Sequence, residues 1–295
     1  MDTRFVFGFA LVALLAVTAG CSADGSLSMN PVDDAELATE ASNELPEDRT
    51  GGDGSVVRRA VENGSATATG EHPPVDEGLP FRHDGQFYAV NYTETGTEPA
   101  HRVDVQVDYN GSADGSVVAY EDLPAVDRRT LDGVLGRGDV VENRLQPGYD
   151  FGTSTVYRES EAASSAFVGD WSHDAVRYEG KTYPVSVDVE ETTLTVYRYE
   201  ATPVANSSEA YARQLRDRYE FELSGLSEAE RSVVDEALND TKYLESSDNE
   251  GFASLVERFR AQDAVTETEY RGSYVVSYDG QLYWVEMRYG SYADE

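Results

Sequence analysis

The chain has 295 residues, with 56 aspartates and glutamates against 23 lysines and arginines, a formal net charge of −33. The acids are spread along the chain rather than blocked, which argues against a nucleic-acid mimic, and nucleic acid is not an expected partner. A single cysteine excludes an intrachain disulfide, so the fold must rest on its own core.

Residues 1–20 read as a secretion signal, since Arg4 gives a positive start and the apolar run from Phe5 to Ala19 is too short to span a bilayer. Thr18-Ala19-Gly20-Cys21 resembles a lipobox, although Leu is usual where Thr18 stands and no twin arginine precedes it. The resemblance implies a lipid on Cys21, a membrane as partner, and a place on the outer face of the cell membrane. Residues 21–44 are poor in aromatics and rich in Asp, Glu, Ser and Asn, and are expected to form a flexible acidic tether.

From residue 45 onward one pattern is written three times. Phe81–Val90 is FRHDGQFYAV, Val176–Val185 is VRYEGKTYPV, and Val276–Val285 is VSYDGQLYWV. The central glycines, Gly85, Gly180 and Gly280, are 95 and 100 residues apart, the spacing of a duplicated small domain rather than a solenoid unit. Asp-Gly or Glu-Gly between β-prone runs predicts a two-residue type I′ hairpin. Such a turn pairs Tyr278 with Gln281, Val276 with Tyr283 and Tyr274 with Val285 on one core face.

Upstream of each hairpin stands a helical segment: residues 55–63, 123–135, and a third where Ser227 and Glu230 form a capping box before Val233, Val234 and Ala237. Further strands are expected at residues 101–109, 116–120 and 192–199. Further helices are expected at residues 208–218, on Tyr211 and Leu215, and around Phe252, Leu255, Val256 and Phe259. Residues 136–165 show no regular pattern. The fold class is therefore α+β: three related helix-plus-β-hairpin units with mainly antiparallel sheet, over residues 45–115, 116–206 and 207–295.

Lys181 and Lys242 are the only lysines; every other base is arginine. Acid excess with almost no lysine, joined to the lipobox and the tandem repeat, resembles haloarchaeal surface lipoproteins. That resemblance implies habitat and anchoring, with no activity or catalytic residue attached. Five of the nine asparagines, Asn63, Asn91, Asn110, Asn206 and Asn239, head Asn-x-Ser/Thr sequons, candidate glycosylation sites in an exported chain.

No catalytic motif is found. The four histidines, His72, His83, His101 and His173, lack zinc-site spacing, and there is no nucleophile elbow or phosphate loop. Asp108, Asn110, Ser112 and Asp114 have the odd spacing of a calcium loop but lack its glycine and glutamate, and read as a polar turn. No metal or cofactor is expected. Where the first two hairpins offer smaller or polar residues, the third has Val275, Leu282 and Trp284 on its variable face. This patch either packs against a neighbouring element or forms an exposed aromatic anchor for a cell-surface protein or glycan. The expected function is a lipid-anchored extracytoplasmic binding or scaffold protein. The alternative is an extracellular hydrolase using carboxylates in a cleft between repeats.

Overall fold

The computed structural model describes residues 25–46, 54–75, 78–113, 115–135, 150–169, 171–240, 242–245, 249–290 and 292. The signal and Cys21 lie outside the described residues. In chain order the elements are β1 (Gly25–Pro31), α1 (Asp34–Glu40), β2 (Asn43–Glu44), α2 (Gly54–Asn63), β3 (Ser65–Gly70), β4 (Phe81–His83), β5 (Gln86–Asp108), β6 (Val117–Ala119), α3 (Ala125–Leu135), β7 (Asp150–Arg158) and α4 (Glu159–Ala162). They continue with β8 (Ala175–Tyr178), β9 (Lys181–Ala205), α5 (Ser208–Tyr219), β10 (Glu220–Glu222), α6 (Glu228–Asn239), β11 (Tyr243–Glu245), α7 (Glu250–Arg260), β12 (Thr266–Thr268), β13 (Arg271–Tyr278) and β14 (Gln281–Arg288). The class is α+β, with mixed, mostly antiparallel sheets.

All three hairpins turn as their Asp-Gly and Glu-Gly pairs predict. Asp84, Glu179 and Asp279 have φ of 49°, 49° and 48°, and the following glycines have φ of 75°, 80° and 78°. Positive φ at both central positions defines the I′ turn, and glycine takes the second at no steric cost. In the third hairpin the register is the expected one, Tyr278 opposite Gln281 and Val276 opposite Tyr283.

The chain divides into two compact units, not three. One gathers the described residues up to Asn43, Asp84–Phe87, and those from Val204 on; the other holds Glu44–His83 and Tyr88–Pro203. The expected boundary between residues 115 and 116 is absent because β5 and β9, 23 and 25 residues long, are neighbours in one eight-stranded sheet. That sheet runs β2-β4-β5-β9-β8-β6, with β3 beside β9 and β7 beside β5. Two helices cover it. Val57 and Ala60 of α2 pack with Phe81, Tyr197 and Tyr199, while Leu131 and Val134 of α3 pack with Val105, Val176 and Tyr183. Residues 150–158, unassigned from sequence, are β7, paired antiparallel to β5 from Asp150 opposite Asp108 to Arg158 opposite Ala100.

The discontinuous unit is a six-stranded sheet, β10-β13-β14-β1-β11 with β12 on β13. Here the structure corrects the tether expectation, since residues 25–44 are folded. The GSLSMNP stretch alternates, placing Leu27 and Met29 in the core opposite Met287 and Val285. Burying two such side chains contributes about 1.5–3 kcal/mol each, which outweighs a polar composition. Beyond it, Asp33 and Glu36 form a capping box: the Asp33 carboxylate accepts the Ala35 and Glu36 N–H groups, and Glu36 accepts the Asp33 N–H, all at 2.9 Å.

One face of this sheet packs α6 and α7 through Val233, Val234, Phe252, Leu255 and Phe259. The Ser227–Glu230 capping box forms as expected. Burial disfavours charge on Glu230, but the Ser227 N–H, Ser254 and Arg258 outweigh it and hold its carboxyl below the ordinary range.

Candidate functional site

The patch of Val275, Leu282 and Trp284 is covered. Val275 is fully buried, Trp284 is 3 % exposed and Leu282 is half-buried. They lie beneath Leu37 and Ala38 of α1 and Tyr211, Ala212 and Leu215 of α5. Tyr211 locks this layer by donating its hydroxyl to the Ala41 carbonyl at 2.9 Å. The exposed-anchor reading fails because α1 supplies the missing cover. Trp284 Nε1 has no hydrogen-bond partner among the described residues, so the side chain contributes through its apolar contacts while its buried N–H is a cost. The five sequon asparagines are all exposed.

The site with the most varied chemistry lies in the unit of the eight-stranded sheet, around the second hairpin. A cavity of about 430 Å³ is lined by Gln106 and Asp108 at the end of β5, by Trp171, His173 and Asp174, and by Pro184 to Val187 on β9. Trp171 is half-buried and stands edge-on to Phe167, with ring centroids 4.9 Å apart; Phe167 in turn is rooted in the α3 core. His173 follows in a T-shaped arrangement at 5.4 Å. Pro184, Val185 and Val187 supply apolar lining, and Gln106, Asp108, His173, Asp174 and Ser186 polar lining.

Asp174 and Asp108 close the walls. The Asp174 N–H donates to the Ser116 carbonyl at 2.8 Å, and its carboxylate Oδ2 accepts the Ser116 N–H at 2.7 Å. Its carbonyl accepts the Val185 N–H at 3.0 Å, which ties the connection to β9. Asp108 Oδ1 accepts the N–H groups of Asn110 and Gly111 at 2.9 and 2.7 Å, so the calcium-like spacing is an Asx turn. A Cβ on Gly111 would meet the Asp108 carboxylate at 2.3 Å, and one on Gly115 would meet that of Asp174 at 2.0 Å. Glycine is required at both points so that the carboxylates can fold over their loops. Asp108 spends one oxygen on its own turn and Asp174 one on the Ser116 N–H; Asp108 Oδ2 and Asp174 Oδ1 make no bond to a described residue.

Ser116 Oγ lies 2.8 Å from His173 Nδ1, the separation of a nucleophile and its base. No carboxylate among the described residues orients the imidazole, and the Asp174 carboxylate is engaged by the Ser116 backbone instead. The pair is therefore an anchor that holds the His173 ring at the rim. Among the described residues no group of three His, Cys, Asp or Glu is placed to hold a metal ion. A second hollow, bounded by Pro99, His101, Glu159 and Glu191, has no aromatic wall.

The sequence names Trp171 and His173 only as lying before the second hairpin. The structure joins them to Asp108 and Gln106, some 65 residues earlier, through a closure between Ser116 and Asp174 that no local pattern announces. The usable signal was the second tryptophan, two residues before a histidine and thirteen before Pro184. Comparison with family models, with curated proteins and with solved structures found no match.

Proposed function

We propose that the protein is an extracytoplasmic binding protein, anchored to the outer face of the membrane by a lipid on Cys21, whose site is the Trp171 cavity. The observation that carries this reading is the pairing of an aromatic and proline platform with a rim of Gln106, Asp108, His173 and Asp174. A ligand with one apolar face and several hydroxyls, such as a sugar residue of a surface glycan, satisfies both. The three helix–hairpin modules are read as copies of one ancestral unit, supported by their shared I′ turns and helical covers. Haloarchaeal habitat rests on the charge and the scarcity of lysine.

The test is calorimetric titration of the protein, in molar salt, with a panel of mono- and oligosaccharides. Binding by the wild type and its loss in Trp171→Ala, with near-ultraviolet dichroism otherwise unchanged, is the expected result. No heat from any sugar, or equal binding by the variant, would sink the reading. The second reading, a carboxylate hydrolase, is favoured by the presence of Asp108 and Asp174 in one cavity. It requires reducing ends to appear on incubation with oligosaccharide and to vanish with Asp108→Asn.

A further inference from the structure

β1 enters its sheet at Gly25, and the register shows which residues share that end. Gly25 lies opposite Glu245, Ser26 lies opposite both Arg288 and Leu244, and Arg288 lies opposite Arg271. Directly opposed residues point to the same side of a sheet, so Arg271, Arg288, Ser26 and Leu244 form one row across β13, β14, β1 and β11. The row is on the face away from α6 and α7, beyond the part that α1 and α5 cover. Lys242 precedes β11, two residues before Leu244 and on the same side by alternation, and Tyr270 lies in the β12–β13 turn.

Two properties single out this end. Among the described residues, the large apolar side chains that stand exposed are Leu244, at 57 %, and Tyr270, at 55 %, and both are here. Arg271, Arg288 and Lys242 are exposed and hold no carboxylate among the described residues. Elsewhere in this acidic chain Arg58, Arg102, Arg216 and Arg258 each hold one. On this face the acids closest to the row are Glu286, opposite Ser273 and Ser28, and Glu269 in the β12–β13 turn, while Glu267, opposite Gly272, and Glu245, opposite Gly25, stand at the same end on the other face.

We propose that this end of the sheet lies against the anionic headgroups of the membrane, with the three cations on lipid phosphates and Leu244 and Tyr270 at the headgroup boundary. The proposal rests on the lipid-anchor reading, under which covalent reach keeps this end of the sheet close to the membrane. Four residues from Cys21 to Gly25 span at most about 14 Å fully extended. A headgroup layer of about 6 Å per leaflet consumes nearly half of that, leaving less than about 8 Å of clearance. In molar salt the Debye length of ~3 Å removes the long-range repulsion between the acidic protein and the anionic surface, while direct arginine–phosphate contacts persist.

The experiment uses the chain from Cys21 onward, which keeps every described residue. The lone cysteine is coupled to a maleimide phospholipid in vesicles of phosphatidylglycerol or of phosphatidylcholine. Amide hydrogen exchange is compared with that of the uncoupled protein. Expected is at least threefold slowing across residues 242–245 and 268–272 on the anionic vesicles, a smaller effect on the neutral ones, and loss of both in K242E/R271E/R288E, whose dichroism is checked for folding. Unchanged exchange, slowing elsewhere in the chain, or slowing that survives the triple variant would overturn the proposal. So would slowing that follows protein density equally on both vesicles, which would assign this end to a second copy. Because the coupling supplies the lipid, the anchor reading is judged separately, from the mass of the native Cys21 peptide.

Discussion

Trp171 and Trp284 both stand beside a repeated Asp/Glu-Gly hairpin, and they meet different fates. Trp284 is on the strand itself, under two helices that come from the start of the unit and from residues 208–219. Trp171 is in the connection before the second hairpin, braced on one side by Phe167 and open on the other to a cavity. An apolar outlier among three similar hairpin sequences thus marks a strand face that other elements cover. The open site is found instead where a connection passes over a strand end without a helix to cover it.

Substitutions should separate the two tryptophans cleanly. Trp284→Ala is expected to cost about 3–5 kcal/mol in denaturant unfolding, and Trp284→Phe far less, because the indole N–H makes no bond to lose. A cost near zero for the alanine variant would mean that α1 and α5 do not cover this face in solution. Leu27→Ala tests the same unit from β1, between β14 and β11, with an expected cost of about 2–5 kcal/mol. A tether residue would tolerate that change without effect.

Trp171→Ala should cost less than Trp284→Ala, since the residue is only half-buried, with about 0.5–1.5 kcal/mol of the loss coming from its edge-on pair with Phe167, while removing ligand binding. The smallest effect is the pH response of Glu230. Its folded carboxyl lies below the ordinary value of 4.5, so its stabilisation is present above that value and fades as pH falls through the folded one. Acid should therefore loosen the unit that contains Trp284, and Glu230→Gln should flatten that response. Tryptophan emission of single-tryptophan variants would check this, and equal acid sensitivity at both tryptophans would contradict it.

Local rules carried the legible part of the fold. The three I′ turns follow from two residues each, the Ser227–Glu230 box from four, and the Phe252–Phe259 face from helical spacing. β1 was missed because only Leu27 and Met29 betray its alternation within a stretch whose composition reads as linker. The Asp33–Glu36 box before Leu37 and Ala38 was legible by the rule that found its counterpart at Ser227, but acidic surroundings masked it. The cavity had no local signature. Its walls meet through Ser116 and Asp174, 58 residues apart, and through β5 and β9, whose adjacency depends on the whole sheet.

The position of β1 also sets an order of assembly. Its partners β14 and β11 begin more than two hundred residues later, so Leu27 cannot find Met287 until almost the entire chain has been made. Closing so long a loop is slow, and contacts this distant in sequence raise the contact order of the whole chain. The unit that holds Trp171, complete by Pro203 apart from Asp84–Phe87, has no such wait and can fold first. Truncation near the C-terminus should accordingly leave the N-terminal strand without its sheet while sparing the unit that holds Trp171.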